Sequence, residues 1–413
     1  MEVQSQPQVT MSNNPTYADL FCGAGGLSLG LRRAGFHEVF ASDKWSAAVA
    51  VYRENLFPGA VAEEISIDTA LPNADVIVGG PPCQGFSSAG MRKNGDRRNS
   101  LVSVFAEIIA RERPQAFVFE NVEGFLTAEG GDRVVDLLKP LVDAGYRIHL
   151  RKINAANYGV PQHRKRVIGI GGLGWNPSFP SPRTFAEGAP GADAIGRGLP
   201  NVLGVSAALA GLPPASSSEP GDPQGHVATR LSHDDLRRAR WLEPGMTMRD
   251  LPLELQHESY QRRANRRVRD GTPTERRGGA PAGLRRLAPD LPSKAITGGA
   301  RSDFLHPFED RRLTVRECAR LQTFPDDFVF RGPLADQVKM IGNAVPPLLA
   351  TAIGESLRED LARCRPSEVS GGALLSFVPT NASALSPTLQ RVVMRLEAEF
   401  SIPRPSNQTS LWR

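Results

Sequence analysis

The chain has 413 residues, enough to bury a sizeable core and to form two domains. A composition that is 40% hydrophobic and 23% charged is ordinary for a soluble globular protein. The formal net charge of +5 permits a nucleic-acid partner without requiring one. No apolar run approaches the length of a membrane span and the first residues are polar, so we expect a cytoplasmic protein without a signal peptide.

The four cysteines, Cys22, Cys83, Cys318 and Cys364, lie far apart and form no C-x-x-C pair. Neither a zinc site nor a disulfide framework is therefore predicted, and we expect free thiols, a reducing compartment and no metal. Residues 1–15 are predicted to be a disordered tail.

The first ordered segment reads as a strand, a tight turn, a helix and a second strand. Residues 16–21 are predicted to form the first strand, and the glycine-rich turn at 22–26 leads into a helix over 27–34. The second strand ends in Asp43, twenty positions after Gly23, the spacing expected of a carboxylate that binds a ribose. The glycines do not match G-x-G-x-x-G, so on its own the turn could equally be structural.

A third apolar run, Val76-Ile77-Val78, is ended by glycines and followed by Pro81-Pro82-Cys83-Gln84. Two prolines stiffen the backbone, so the thiol of Cys83 is displayed at the carboxyl end of a strand, where open α/β sheets bind ligands. A lone cysteine is more often a small buried hydrophobe. The surrounding prolines favour a presented nucleophile here.

Two further stretches place charged side chains beside apolar strands. Residues 117–119 read as a strand that ends in Glu120, so a carboxylate and the Cys83 thiol could share one pocket. In an extended segment alternate residues share a face, so Gln162, Arg164 and Arg166 are predicted to point one way. Because the apolar Val167 follows at once, we expect that arginine face to turn towards a site.

Several helices are marked by their ends. Residues 100–110 and 389–400 are predicted to be helical. Thr314 and Glu317 form a capping box that begins another helix, and the prolines at 346 and 347 start an apolar one.

The stretch from 176 to 311 differs in character from the rest of the chain. Proline, glycine and serine are dense at first, and arginine dominates between 262 and 286. Clustered arginines with interleaved His257, Tyr260 and Asn265 are typical of a nucleic-acid surface, and a disordered basic linker is the alternative. Apolar residues favour a small folded domain: Trp241, Leu251, Leu253, Leu255 and Leu284.

Six motifs, in this order, resemble those of the DNA (cytosine-5-)-methyltransferase family of the bacterial restriction–modification type. They are the turn from Asp19 to Leu27, Pro81-Pro82-Cys83-Gln84, Glu120-Asn121-Val122, Gln162-x-Arg164-x-Arg166, the stretch from Arg312 to Pro325, and Gly342-Asn343-Ala344.

The resemblance implies an α/β fold: a Rossmann-like methyltransferase domain that binds S-adenosylmethionine, and a smaller, mostly irregular target-recognition domain. The catalytic domain would take residues 16–175 and the recognition domain 176–311. Late motifs would occupy 312–361, with 334–361 returning to the catalytic domain beside the first glycine turn. Residues 362–413 form an extension of unknown role.

The implied reaction moves a methyl group from S-adenosylmethionine to C5 of a flipped-out cytosine in a short duplex DNA sequence, through a covalent Cys83–C6 intermediate. By the same resemblance, catalytic roles fall on Cys83, Glu120, Arg164 and Arg166. Cofactor contacts fall on Phe21, Gly23, Gly25, Gly26, Leu27, Asp43, Glu64, Ile65, Pro82, Leu101, Asn343 and Ala344. DNA contacts fall on Gln84, Ser87, Arg97, Arg262, Arg263, Arg266 and Arg267.

The chain departs from the family pattern at several cofactor positions. Asp43 stands where glutamate is more usual, and Lys44 where an apolar or aromatic side chain often packs on the adenine, with Trp45 next to it. Asp68 competes with Glu64 for the adenine contact, and Leu101 could equally be a core residue. Cys22 is expected to be a small buried side chain.

Three other functions remain open on the sequence. One branch of the family methylates cytosine in tRNA with the same motifs, although the arginine-rich insert favours DNA. A catalytically silent DNA-binding homologue should have lost the thiol, the carboxylate or the glycine turn. A dehydrogenase is a distant third. The expected partners are double-stranded DNA and a cognate restriction endonuclease acting separately; we expect a monomer that contacts no membrane.

Overall fold

The computed structural model describes seven stretches of the chain: residues 14–82, 100–187, 198–215, 224–261, 283–363, 371–377 and 387–400. The predicted tail at 1–15 therefore lies almost wholly outside the described residues. The strands are β1 (Thr16–Leu20), β2 (His37–Ser42), β3 (Val76–Gly79), β4 (Ala116–Val122), β5 (Tyr146–Asn154), β6 (Gln162–His163), β7 (Lys165–Leu173), β8 (Arg285–Arg286), β9 (Ser293–Lys294), β10 (Phe304–Leu305) and β11 (Gly372–Phe377).

The described α-helices are α1 (Gly26–Arg33), α2 (Ser46–Asn55), α3 (Leu101–Glu112), α4 (Asp132–Asp143), α5 (Val205–Leu209), α6 (His233–Trp241), α7 (Ala300–Asp303), α8 (Val315–Leu321), α9 (Leu334–Asn343), α10 (Pro347–Arg363) and α11 (Pro387–Phe400). Shorter 3-10 segments span Glu123–Gly131, Ala155–Tyr158 and Leu253–Leu255. Within the described ranges, no helix is long and apolar enough to cross a membrane.

Among the described residues, seven strands form one central sheet in the order β11-β5-β7-β4-β3-β1-β2. Neighbouring strands run parallel except at β7, which is antiparallel to both β4 and β5. The Rossmann-like α/β fold expected from the sequence is thus confirmed. Residues 76–78 and 117–119 are continuously buried, because a parallel sheet covered by helices on both faces has no solvent-exposed face.

Alternate strand residues separate into two layers of core. Phe117 and Phe119 pack with α3, α4 and α11 on one face of the sheet. Val118 packs with α1 and α10 on the other face. This division follows from the two-residue period of a strand, in which successive side chains point to opposite faces.

The helix after the last motif, α10, lies against α1, the helix after the first motif. A Cβ at Gly30 of α1 would be 2.3 Å from the Cβ of Ala350 and 2.6 Å from the carbonyl oxygen of Pro347, both in α10. A Cβ at Gly26 would be 2.3 Å from the carbonyl oxygen of Val345. Glycine is required at both positions because backbone stands where a side chain would begin.

Part of the stretch between β7 and α8 folds around a small core of its own. Leu251 and Leu284 are buried in that core, whereas Trp241 and Leu253 are exposed. Arg286 belongs to the arginine cluster assigned to nucleic acid, but it is buried, donates to four backbone carbonyls and forms an ion pair with the carboxylate of Asp310. Arg286 is therefore a structural residue, which corrects its assignment to the binding surface.

The helix-end predictions hold. Thr314 accepts from the backbone amide of Glu317, whose carboxylate accepts in return from that of Thr314, so α8 begins with the expected capping box. The helix expected near 389–400 is α11. Strand β11, which adds to the edge of the sheet at β5, was not predicted.

Candidate active site

The glycine-rich turn after β1 forms one wall of a cavity at the carboxyl ends of the parallel strands. Phe21 adopts a φ of 61° and Gly23 one of 53°, so the chain reverses within a few residues. One carboxylate oxygen of Asp43 accepts from the amide of Gly23 at 3.0 Å and the other accepts from that of Trp45 at 2.8 Å. Each oxygen keeps lone-pair capacity for a further donor.

The cavity has a volume of about 850 Å³, within the range of small-molecule sites. Ten of the predicted site residues line it: Phe21, Gly23, Gly26, Leu27, Asp43, Pro82, Glu120, Arg166, Asn343 and Ala344. We call residues 21–24, 26 and 27 with Asp43, Trp45, Asn343 and Ala344 the glycine-turn wall, and residues 80–82 with Glu120, Asn121 and Arg166 the Glu120 wall.

The Glu120 wall is centred on an ion pair. Arg166 Nε lies 2.7 Å from an Oε of Glu120, and both side chains are nearly buried. The antiparallel pairing of β4 with β7 places Arg166 opposite Val122, two residues beyond Glu120 on the same face of the sheet. The guanidinium is also held by donation from Nη1 to the carbonyl of Lys165 at 2.7 Å.

The loop that leads to Cys83 is fastened to this wall. Asn121 donates from Nδ2 to the carbonyl of Pro81 at 2.9 Å, so the Glu-Asn-Val motif holds the Pro-Pro motif directly. A Cβ at Gly80 would be 3.1 Å from Glu120 Oε2, so glycine leaves room for the carboxylate. The sequence analysis assigned no role to Asn121, although an amide at a strand end beside a proline turn was a usable signal.

Several predicted residues lie outside the described stretches. Cys83 comes directly after Pro82, the last described residue of that loop. All seven predicted DNA contacts also lie outside the described stretches: Gln84, Ser87, Arg97, Arg262, Arg263, Arg266 and Arg267.

Arg164 does not line the cavity, which corrects the expectation that it faces the site with Arg166. It is fully buried and donates to the carbonyls of Ile296 at 2.8 Å, Gly342 at 2.7 Å and Ala344 at 2.9 Å. The alternation argument assumed one continuous strand, but residue 164 lies between β6 and β7. Arg164 therefore positions the end of α9 at the glycine-turn wall.

Four predicted cofactor contacts also lie off the cavity lining. Gly25 has a φ of 93° and would place a Cβ 2.2 Å from Leu56, so it serves the turn and its packing. Ile65 is a buried core residue, and Leu101 begins α3. Glu64 is exposed and lies 3.9 Å from the ammonium of Lys44.

The sequence analysis left the adenine contact open between Lys44 and Trp45. Lys339 of α9 holds its ammonium 4.7 Å from the ring centroid of Trp45, and both residues line the cavity. Lys44 lines it as well. The aromatic surface at this end of the glycine-turn wall is therefore supplied by Trp45.

Buried polar groups next to the glycine-rich turn form a hydrogen-bonded cluster. Ser28 donates to the carboxylate of Asp19 at 2.6 Å, and Tyr52 contacts both Ser28 Oγ and the carboxylate of Glu38. Burial raises the pKa of Glu38 to about 7 and raises the pKa of Asp19 well above its usual range. Burial also raises the pKa of the Cys22 thiol, which fits the inert role expected of it.

The described residues contain no group of three or more His, Cys, Asp or Glu side chains arranged to hold a metal ion.

Comparison with known proteins identifies the arrangement. The family model for C-5 cytosine-specific DNA methylases matches residues 16–201 and 216–359. The Type II methyltransferase M1.HphI of Haemophilus parahaemolyticus is 35% identical over 83% of this chain and 86% of its own length. M.AgeI of Thalassovita gelatinovora is 32% identical over 82% and 98%, and M.XorII of Xanthomonas oryzae pv. oryzae is 30% identical over 95% and 97%.

Among solved structures, a putative DNA modification methyltransferase encoded within a prophage of E. coli superposes with a TM-score of 0.61 at 25% identity. The superposition covers 85% of this chain and all of that one. The Dnmt2 methyltransferase of S. pombe shares the fold with a TM-score of 0.51 at 18% identity, over 84% of this chain and 99% of its own. The chain belongs to the C-5 cytosine-specific DNA methylase family.

Proposed function

We propose that this protein transfers a methyl group from S-adenosylmethionine to C5 of cytosine in a short sequence of duplex DNA, with Cys83 as the nucleophile. The observation that carries the proposal is the paired Glu120 and Arg166 on a cavity wall that continues directly into the Cys83 loop. The glycine-turn wall lines the same cavity with other residues and offers a separate place for a methyl donor.

The glycine-turn wall fits the adenosine part of that donor. The oxygens of Asp43, each already accepting one backbone amide, retain capacity for the two ribose hydroxyls. Trp45 supplies a flat aromatic surface suited to a base. When bound there, S-adenosylmethionine would supply an electrophilic methyl group on a positively charged sulfur.

The chemistry explains why a thiol and a carboxyl group are needed together. Cytosine C5 is a weak nucleophile, and addition of the Cys83 thiolate to C6 moves electron density onto C5. Glu120 would stabilise the developing charge by hydrogen bonding or proton donation at N3 of the ring. Arg166 would hold the Glu120 carboxyl group in place and reach O2 of the same base.

Completion of the reaction needs two bond cleavages. After C5 has received the methyl group, a base removes the C5 proton and the C6–S bond breaks, which restores the ring and the Cys83 thiolate. These steps require both faces of the ring, so the cytosine must leave the base stack and enter the cavity.

The named relatives are Type II methyltransferases, so we also infer a cognate restriction endonuclease that acts on the same DNA sequence as a separate protein. We expect the methyltransferase itself to act as a monomer.

Base-resolution methylation sequencing of DNA from cells that express the protein tests the proposal, with Cys83→Ser as the matched control. We expect new 5-methylcytosine at one short motif with the native protein and none with the variant. Incubation of the purified protein with labelled S-adenosylmethionine and either duplex DNA or tRNA adds a second comparison. Label transferred to tRNA and not to DNA would overturn the assigned substrate.

A further inference from the structure

The two described segments beyond α10 lie outside the residues that the family model matches, which end at 359. Strand β11 pairs in parallel with β5, from Gly372 opposite Arg147 to Phe377 opposite Lys152. Helix α11 buries Leu389, Val392, Leu396 and Phe400 in the same core cluster as α3 and α4. Both segments are therefore part of the catalytic fold.

Helix α11 docks on the 3-10 segment that directly follows the Glu120 strand. A Cβ at Gly131, the last residue of that segment, would be 2.8 Å from Cγ1 of Val392, so glycine allows the helix to approach. Arg395 donates to the carboxylate of Asp132, the next residue, at 2.7 Å. The helix thus holds the far end of the segment Glu123–Gly131.

The same segment is connected to Glu120 through aromatic packing. Phe125 lies within the segment and belongs to the cluster that contains the buried face of α11. Its ring centroid is 5.1 Å from that of Phe119, and Phe119 directly precedes Glu120 in β4. Displacement of α11 would therefore shift Phe119, the residue next to Glu120, because close-packed interiors transmit such shifts.

A second connection runs through the sheet. Lys152 of β5 is almost fully buried and forms an ion pair with Glu123, the first residue of the 3-10 segment. Lys152 is also the residue of β5 that stands opposite Phe377 of β11. The strand and the helix of the C-terminal segments thus support the two ends of Glu123–Gly131 separately.

We propose that β11 and α11 position the Glu120 wall: they hold the segment Glu123–Gly131, and through it the end of β4, where Glu120 meets Arg166. Val392 and Leu396 are positioning residues in this arrangement. The inference rests on the proposed function, because it assigns the two segments to the methyl-transfer step.

The test compares Leu396→Ala, which opens a cavity on the buried face of α11, with Met394→Ala on its exposed face. Single-turnover methyl transfer is measured at saturating substrates, below the unfolding temperature, and is normalised to the S-adenosylmethionine bound. For Leu396→Ala we expect a rate reduced by about fivefold, KM for S-adenosylmethionine within about twofold of native, and no change for Met394→Ala.

A Leu396→Ala protein that is less stable but transfers the methyl group at the native rate would overturn the inference, because the C-terminal segments would then serve folding alone. If Leu396→Ala does not fold, Val392→Ala gives the same comparison with a smaller cavity, and a native rate for that folded variant would equally overturn it. Absence of transfer by the native protein would instead contradict the proposed function.

Discussion

The glycine-turn wall is shaped by the backbone of a tight turn, whereas the Glu120 wall is shaped by an ion pair between two side chains. In the first wall a turn with three positive φ values, at Phe21, Gly23 and Gly25, is held by Asp43, which accepts from two backbone amides. In the second wall the carboxylate of Glu120 in β4 forms an ion pair with the guanidinium of Arg166 in β7. A backbone wall is fixed by chain geometry, but a side-chain wall needs packing behind it, which here includes α11.

The largest effect that would test the difference between the two walls is expected from Glu120→Gln. This change keeps the shape of the side chain but removes its charge and its acid function, so we expect kcat to fall by about a hundredfold or more, with KM for S-adenosylmethionine nearly unchanged. Steady-state kinetics on duplex DNA measures both values. A fall in apparent affinity for S-adenosylmethionine with kcat intact would show that the two walls are not functionally separate.

The opposite pattern is expected for Asp43→Ala. Removal of the carboxylate frees the amides of Gly23 and Trp45 and deletes the proposed ribose acceptor, so KM for S-adenosylmethionine should rise about tenfold. KM for DNA should rise much less. An unchanged KM for S-adenosylmethionine would move the ribose contact to another residue.

Arg164→Lys tests the corrected role of this arginine. A lysine cannot serve all three carbonyls, so the end of α9 with Asn343 and Ala344 should loosen, and KM for S-adenosylmethionine should rise about fivefold. The methyl-transfer rate at saturating donor should stay near native. If kcat fell as far as it does in Glu120→Gln while KM held, Arg164 would regain a direct part in catalysis.

The smallest effect concerns the acidic cluster under the glycine turn. The pKa of Glu38 is about 7 in the folded protein against an ordinary value of 4.5, so its contribution to stability is full below about pH 4.5 and is lost as pH rises through 7. Glu38→Gln does not ionise and escapes that loss. We expect Tm of the variant, relative to native, to rise by roughly 2 °C between pH 5 and pH 8.

Thermal unfolding of both proteins across that pH range measures this difference. A Tm difference that does not change with pH would mean that Glu38 ionises in the folded protein as readily as in the unfolded one.

Prediction from the sequence succeeded where short-range signals and chemistry coincide. The glycine turn, Asp43 and the strand that carries Glu120 follow from local patterns, although β4 continues to Val122, and the structure brings these residues to one cavity. Prediction failed for Arg164, because its guanidinium binds the carbonyls of Ile296 and Gly342, which lie more than 130 residues later in the chain.

Two other features of the fold could not be predicted from local sequence patterns. Strand β11 is completed only by its pairing with β5, more than two hundred residues earlier. The burial of Arg286 likewise depends on carbonyls from two separate stretches, at 239–242 and 306–309. Each is a long-range contact, which periodicity and composition do not encode.

The central claim is that the loop after Pro82 presents a nucleophilic thiol to a cytosine held against Glu120. Duplex DNA carrying 5-fluorocytosine at the target base tests it most directly, because fluorine at C5 blocks the final elimination. In the presence of S-adenosylmethionine, we predict a covalent adduct that peptide mass spectrometry assigns to Cys83 and that Cys83→Ser does not form. An adduct at another residue, or methylation of ordinary DNA without any adduct, would contradict the account.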